Sequence, residues 1–121
     1  GHRGRVRSPT FTLLEPYEFN NFTLYHFDFY RFSDNNDWRD AGFDEWLSDP
    51  RAITVIEWSE MAGNQLPVPD VHLRFEFAAD GSRKLHLQSH SARGDDWLKT
   101  ISQDTARDGV PAAPPPDGTA R

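Results

Sequence analysis

The feature that most constrains this chain is the β-prone run Ile53-Thr54-Val55-Ile56, which ends abruptly in Glu57-Trp58. Such a run predicts a strand buried on both faces, as is typical of the middle of a parallel sheet. In open α/β sheets, ligands bind outside the carboxyl ends of such strands. A carboxylate followed by an aromatic ring at that end suits a site that holds a metal ion and stacks a ring. The same residues also suit a plain strand end, with Trp58 packing at the surface.

Size and composition narrow the classes of protein that fit. The chain has 121 residues, which is a common size for one domain. Its formal net charge of −6 argues against a broad basic face for nucleic acid. It contains no cysteine, which excludes disulfides and thiolate metal sites. No apolar stretch approaches the roughly 20 residues that cross a membrane, and no signal peptide is evident, so we expect a soluble cytoplasmic protein.

The first half of the chain reads as strands followed by short helices. Residues 13–19 and 22–29 are rich in β-formers, and Asn20-Asn21 between them favours a tight hairpin. Within the second run, Phe27 and Phe29 share one face, while His26 and Asp28 share the other. Residues 34–47 predict two short helices with a break at Gly42. Their inward-facing residues are predicted to be Trp38, Ala41 and Trp46.

The second half predicts a hairpin, a helix and a tail. Alternating apolar residues in 71–77 and 84–90 flank a turn at 79–82, which indicates a second antiparallel hairpin. Residues 92–103 suit a last helix. From residue 105 the composition is rich in Pro, Ala and Gly and cannot bury enough apolar surface to fold. We therefore expect one domain over residues 1–104 and a disordered tail over 105–121.

Two segments besides Glu57-Trp58 carry candidate chemistry. Asp28 lies near the end of an aromatic strand, where a carboxylate suits a Mg-nucleotide site because Mg²⁺ favours oxygen ligands. Alternatively, Asp28 pairs with Arg31 or His26 on an exposed strand. The hydroxyls of Ser8-Pro9-Thr10-Phe11-Thr12 suit a loop beside a phosphate, and they equally suit an ordinary turn.

The sequence lacks the motifs of two other chemistries, hydrolysis by a catalytic triad and phosphate binding by a P-loop. No Gly-x-Ser-x-Gly elbow accompanies the histidines and serines, which argues against a hydrolytic triad. A phosphate-binding loop, Gly-x-x-x-x-Gly-Lys-Ser/Thr, needs a lysine directly after a glycine. The lysines of this chain are Lys84 and Lys99, which follow Arg83 and Leu98. These 121 residues therefore cannot grip the β- and γ-phosphates in the P-loop manner.

Taken together, these segments resemble the TsaE family, the small bacterial ATPases of tRNA threonylcarbamoyladenosine biosynthesis. Each motif is weak by itself, but their order and spacing agree over roughly residues 1–95. The matching segments are Gly1-His2-x-Gly4-x-Val6-x-Ser8-Pro9-Thr10-Phe11-Thr12-Leu13-x-Glu15-Pro16-Tyr17, His26-Phe27-Asp28-Phe29-Tyr30-Arg31, Asp40-x-Gly42-x-Asp44-Glu45, Ile56-Glu57-Trp58-Ser59-Glu60 and Leu66-Pro67-x-Pro69-Asp70. One departure is Phe29, where leucine is commoner in the family.

The resemblance implies a nucleotide site and a set of partners. It implies that Glu57 helps hold Mg²⁺ and that Trp58 lies beside ATP. It also implies that Asp28 is catalytic or positions a water, and that Thr10 and Thr12 belong to a nucleotide-sensing catalytic loop. Family members bind TsaB and TsaD, and their ATP turnover supports modification of adenosine 37 in tRNA. The resemblance implies that the tRNA is contacted only indirectly, through this complex.

The resemblance also implies a departure at the front of the chain. The family carries a strand, the P-loop and its helix before the segment that corresponds to Gly1-His2. We therefore expect an α/β fold of the P-loop NTPase kind, with flanking helices and antiparallel hairpins, that is N-terminally truncated. Alone, such a chain is expected to be marginally stable and to lack ATP hydrolysis. The alternative is a non-catalytic interaction module derived from the same fold, and a generic β-rich binding domain would leave the ordered motifs unexplained.

Overall fold

The computed structural model describes residues 1–107 and separates them into two compact units. The first unit is Gly1–Pro67, and the second begins at Val68. The extent of a single domain over residues 1–104 stays a prediction. Proline cannot continue a hydrogen-bonded ladder, and Pro67 and Pro69 flank the boundary between the units. Of the tail predicted from residue 105, the part over 108–121 lies outside the described residues.

The first unit contains a three-stranded sheet in the order β1-β2-β3. Strand β1 (Leu14–Glu18) pairs antiparallel with β2 (Thr23–Asp28), so the hairpin predicted around Asn20-Asn21 is confirmed. Strand β3 (Ala52–Glu57) pairs with β2 in parallel. Because parallel strands end at the same edge of a sheet, this pairing brings two distant segments of the sequence together at their carboxyl ends.

The position of β3 corrects one expectation. Within the described residues β3 pairs with β2 only, whereas the apolar run predicts a central strand buried on both faces. Val55 is accordingly 39% exposed. The side chain of Ile56 points to the opposite face and packs against the core. Among the described residues, the apolar run therefore forms a strand with one neighbour and one covered face.

An aromatic core fixes the orientation of β2. Phe27 and Phe29 are fully buried, and their rings lie 6.1 Å apart, edge to face. The other buried members of the cluster are Tyr25, Phe32, Trp38 and Ala62. Burying one such ring contributes about 1.5–3 kcal/mol, so the face that carries Phe27 is strongly specified. Because side chains alternate along a strand, His26 and Asp28 must lie on the other face, as predicted.

The acidic segment forms two short helices, as predicted. Helix α1 (Asp37–Asp40) and helix α2 (Asp44–Leu47) are separated by Gly42, whose φ of +79° is readily adopted only by glycine. A short 3₁₀ helix over Ser59–Ala62 follows β3. The break at Gly42 explains an error in the predicted inward face, because it changes the direction in which side chains project.

Of the three residues expected to face inward, only Trp38 does so. Trp38 is 3% exposed, whereas Ala41 and Trp46 are exposed. Trp46 reaches the core only through the edge of its ring, which lies 5.1 Å from the ring of Tyr25. The predicted inward position of Ala41 and Trp46 assumed one continuous helix. The structure instead has two separate helices of one turn each.

The loop before α1 is held by one carboxylate. The side chain of Asp37 accepts hydrogen bonds from the backbone N–H groups of Asp34 (2.9 Å) and Ser33 (2.7 Å). These donors, the one on Asp34 first, hold the pKa of the Asp37 carboxyl below its ordinary value because they favour its charged form. The carboxylate also lies at the N-terminus of α1, where a negative charge is favoured.

The second unit is a hairpin followed by a helix, as predicted. Strands β4 (Val71–Phe77) and β5 (Arg83–Ser89) pair antiparallel, and helix α3 runs over Ala92–Arg107, past the predicted end of the domain. The start of α3 lies close to the backbone of Asp70, just before β4. A Cβ atom on Gly94 would overlap the carbonyl oxygen of Asp70. Among residues 1–107, no helix combines the length and apolar character needed to cross a bilayer.

Candidate functional site

The loop before β1 is folded against the end of β2. The backbone N–H of Leu13 donates to the carbonyl of Pro9 (2.7 Å), which closes the loop, and Pro9 is fully buried. Leu13 has a φ of +67°, which is uncommon for a residue with a side chain. Its carbonyl accepts a hydrogen bond from the backbone N–H of Asp28 at 3.1 Å. The loop is therefore anchored beside the Asp28 side chain.

Asp28 is a buried carboxylate with both oxygens engaged. Asp28 is only 4% exposed. One oxygen, Oδ1, accepts the backbone N–H of Tyr30 (2.8 Å), and Oδ2 accepts the hydroxyl of Thr10 (3.2 Å). The Thr10 hydroxyl in turn lies 2.8 Å from that of Ser8. These bonds account for the burial of a charged group and fix the direction of the carboxylate.

Neither of the alternative partners expected for Asp28 bonds to it. Arg31 instead donates to the backbone carbonyl of Phe11 at 3.3 Å, and His26 lies against Glu57. Both contacts join β2, or the turn that follows it, to other segments of the site. The loop around Thr10 is therefore held from two sides, by Asp28 and by Arg31.

Glu57 lies beside Asp28 at the carboxyl edge of the sheet. The parallel register pairs the Cα of Asp28 with that of Glu57. The Glu57 side chain is 50% exposed, and its Oε2 lies 3.1 Å from Nε2 of His26. Sequence reasoning did not assign His26 to the site. His26 precedes Asp28 by two residues and so shares its face of β2. This position indicates a contact with Glu57 only once β2 and β3 are known to pair in parallel.

Trp58 follows Glu57 in a left-handed backbone conformation, with φ 58° and ψ 39°. The residue is 49% exposed, and its ring lies 5.0 Å from the ring of Tyr30. A bulky residue at positive φ is strained by about 1–3 kcal/mol, and such strain is concentrated at functional sites. Tyr30 is a second residue to which the sequence assigned no role in the site. The two rings together form an exposed aromatic surface beside the carboxylates.

The hydroxyl of Thr12 does not bond to Asp28 or to Thr10. Its Oγ1 donates to Oε1 of Glu15 at 3.0 Å, and the pair is exposed. Thr10 and Thr12 were predicted together as loop residues. The structure joins Thr10 to Asp28 and directs the hydroxyl of Thr12 elsewhere.

The carboxylates suit a metal ion that is shared with a ligand. Among residues 1–107, no group of three or more acidic or histidine side chains is arranged to hold a metal ion alone. Mg²⁺, however, is commonly held by one or two carboxylates together with phosphate oxygens and waters. Glu57 fits that role because its Oε1 accepts no hydrogen bond in the described part of the chain. Asp28, with both oxygens engaged, fits a positioning role behind it.

Comparisons with known proteins point to one family. The family described as Threonylcarbamoyl adenosine biosynthesis protein TsaE matches this chain over residues 1–85. The tRNA threonylcarbamoyladenosine biosynthesis protein TsaE of Haemophilus influenzae is 32% identical over 102 residues, which cover 84% of this chain and 63% of that protein. The protein of the same name from Treponema pallidum is 38% identical over 85 residues, covering 70% of this chain and 62% of its own length.

A solved structure shares the fold. The crystal structure of YdiB from Bacillus subtilis matches with a TM-score of 0.60 and 23% sequence identity, over 84% of this chain and 60% of that one. The present chain spans between about half and about three-fifths of the length of the relatives it matches, from 47% in Rickettsia conorii to 63% in Haemophilus influenzae.

The sheet, the paired carboxylates at its carboxyl edge and the structural match define the class of protein: an α/β protein with a P-loop NTPase-like sheet. The match over residues 1–85 then gives the family. The chain belongs to the TsaE family, which is named for threonylcarbamoyl adenosine biosynthesis.

Proposed function

We propose that this chain supplies the carboxylate side of a Mg-ATP site that serves tRNA threonylcarbamoyladenosine biosynthesis. The observation that carries the proposal is the parallel pairing of β2 and β3, which sets Asp28 beside Glu57 at one edge of the sheet. Membership of the TsaE family supports the pathway. The phosphate-gripping motif is not among these 121 residues, so the proposal concerns one side of the site only.

Each residue has a separate task in this proposal. Glu57 offers the exposed oxygen of its carboxylate to Mg²⁺, which when bound neutralises charge on the phosphates. Asp28 orients the Thr10 hydroxyl and the backbone around Tyr30, and so fixes the loop that would face a phosphate or a bound water. Trp58 presents its exposed ring beside the nucleotide. Thr12 stays a candidate of the same loop, with its hydroxyl bonded to Glu15.

The proposed partners follow from the family. We propose that the protein acts with TsaB and TsaD and meets tRNA only through that complex, where ATP turnover supports modification at position 37. The net charge of −6 is consistent with indirect contact, since a protein that grips RNA by itself needs a basic face. Co-elution of the purified protein with TsaB and TsaD on a sizing column would support this part of the proposal.

The decisive experiment measures Mg-dependent ATP hydrolysis by the gene product read from its own start codon. We expect Glu57→Ala to lower kcat on the order of 100-fold, because it removes charge stabilisation in phosphoryl transfer. The matched control is Glu60→Ala, which removes an exposed carboxylate from the neighbouring 3₁₀ helix and should leave kcat within about twofold.

Two outcomes would contradict the proposal. Equal activity of the Glu57 and Glu60 variants would show that Glu57 has no special role and would favour a non-catalytic interaction module. Hydrolysis by a polypeptide consisting of residues 1–121 alone, abolished by Glu57→Ala, would show that these residues hold a complete site. We expect that polypeptide to have no measurable turnover, because it lacks the Gly-x-x-x-x-Gly-Lys-Ser/Thr loop.

A further inference from the structure

The side chains of His26 and Glu57 form a diagonal contact across the two parallel strands. In the register, His26 lies opposite Val55, and Glu57 is two residues further along β3. Residues two apart on a strand share a face, so both side chains project from the same side of the sheet. Their atoms meet at 3.1 Å, between Nε2 of His26 and Oε2 of Glu57.

The chemistry of the two groups fixes the direction of this hydrogen bond. An ionised carboxylate can only accept, so Nε2 of His26 must carry the proton and donate it. One carboxylate oxygen of Glu57 is thereby held, and the other, Oε1, is left to face solvent. A half-exposed glutamate otherwise samples several rotamers, and fixing it costs conformational entropy when a ligand binds.

His26 is itself well held. Its side chain is 21% exposed and borders an apolar groove of about 190 Å³ together with Leu24 and Val55. The aromatic core on the opposite face of β2 fixes the strand that carries it. The imidazole is therefore the less mobile member of the pair, and it restrains Glu57 rather than the reverse.

We propose that His26 is a positioning residue for Glu57: its Nε2–H holds the carboxylate in the orientation in which the free oxygen receives a divalent cation. This inference rests on the proposed function of Glu57 as the carboxylate that meets Mg²⁺. Groups that orient a metal-binding side chain commonly change metal affinity by about 10–100-fold when they are removed. His26 does not touch the reacting atoms in this proposal.

The test uses two substitutions that differ only in where the donor lies. In His26→Gln the side-chain amide nitrogen stands close to the place of Nε2, whereas in His26→Asn it stands close to the place of Nδ1 and cannot reach Glu57. His72→Asn, in exposed β4, is the control for loss of a strand histidine. Calorimetry on the gene product measures the ATP dissociation constant with Mg²⁺ and with EDTA, and thermal unfolding is measured in parallel.

We expect His26→Asn to weaken Mg-dependent ATP binding by about tenfold while the constant in EDTA is unchanged. His26→Gln and His72→Asn should stay within about twofold of the parent protein in both conditions. An unchanged Mg-dependent constant in His26→Asn would overturn the inference. Equal weakening by His26→Asn and His26→Gln, with the dissociation constant in EDTA raised and the melting temperature lowered, would overturn it in favour of a purely structural role.

Glu57→Gln separates this inference from the proposed function. If Glu57→Gln removes the effect of Mg²⁺ but His26→Asn does not weaken it, only the positioning role is overturned. If Glu57→Gln leaves the effect of Mg²⁺ intact, or if the gene product shows no Mg-dependent ATP binding, both the function and the positioning role are overturned.

Discussion

The hydroxyl of Thr10 donates a hydrogen bond to Oδ2 of Asp28 over 3.2 Å, and this contact ties the N-terminal loop to the carboxyl end of β2. Asp28 is buried, so the bond satisfies a charged group that water does not reach. The same carboxylate is the one that the family resemblance assigns to catalysis. The loop and the site are therefore held by one shared group.

Replacing Thr10 by valine tests this contact. The substitution keeps the shape of the side chain and removes the hydroxyl, so we expect the free energy of unfolding to fall by about 1–3 kcal/mol because Asp28 loses a donor. Urea denaturation followed by tryptophan fluorescence measures the change. Thr12→Val is the control, since its hydroxyl bonds only to exposed Glu15 and its loss should cost less than about 0.5 kcal/mol. An equal loss of unfolding free energy in the two variants would contradict a stabilising hydrogen bond from Thr10 to Asp28.

Gly94→Ala should destabilise the second unit. In an ordinary exposed helix this change stabilises by about 1 kcal/mol, because glycine is a poor helix former. Here the added Cβ would overlap the backbone carbonyl of Asp70 and also crowd the Ser89 hydroxyl. The sign of the effect is therefore diagnostic. Far-ultraviolet circular dichroism during thermal unfolding reports the change, and a melting temperature equal to or above that of the parent would rule out the close approach.

Asp37→Asn should remove an acid-sensitive part of the stability. The pKa of Asp37 is lowered in the folded state, chiefly by the backbone N–H of Asp34 and then by that of Ser33, so the carboxylate stabilises the fold when ionised. That contribution is present above the unfolded pKa, near 3.8, and is lost as the pH falls through the lower folded pKa. The parent should therefore melt above Asp37→Asn at about pH 6, and the difference should vanish at about pH 2.

The control for this pH effect is Asp40→Asn, at the other end of the same helix. Its carboxylate is exposed, and we expect the difference in melting temperature from the parent to be small at both pH values. A difference for Asp37→Asn that is equally large at acidic and near-neutral pH would show that the ionised form is not what holds the loop before α1.

Phe75→Thr should reduce self-association without unfolding the protein. Phe75 is 65% exposed on β4, in line with Leu73 and Phe77, and exposed apolar residues on a strand promote aggregation. Threonine keeps the β-propensity of the position. Light scattering against concentration measures association. The contrasting variant is Phe27→Thr, which empties a fully buried core position and should cost about 3–5 kcal/mol, so similar melting temperatures for the two variants would contradict the assigned burial.

The sequence predicted the secondary structure better than the packing. Both hairpins follow from alternation and turn residues, and the break at Gly42 follows from the freedom of glycine at positive φ. The inward positions of Ala41 and Trp46 were wrong because two separate turns do not share one helical period. The predicted burial of β3 on both faces is not found among the described residues, where β3 pairs with β2 only and Val55 is exposed.

The sequence by itself determined the family of this protein and the identities of Asp28, Glu57 and Trp58 as candidate residues, because their order and chemistry are properties of the chain. Only the tertiary structure decided which of them meet. The parallel pairing of β2 with β3 brings together residues about thirty positions apart, and it adds His26 and Tyr30, to which the sequence assigned no role in the site. Register is fixed by the burial of Phe27 and its neighbours, a collective effect that no single position in the sequence reveals.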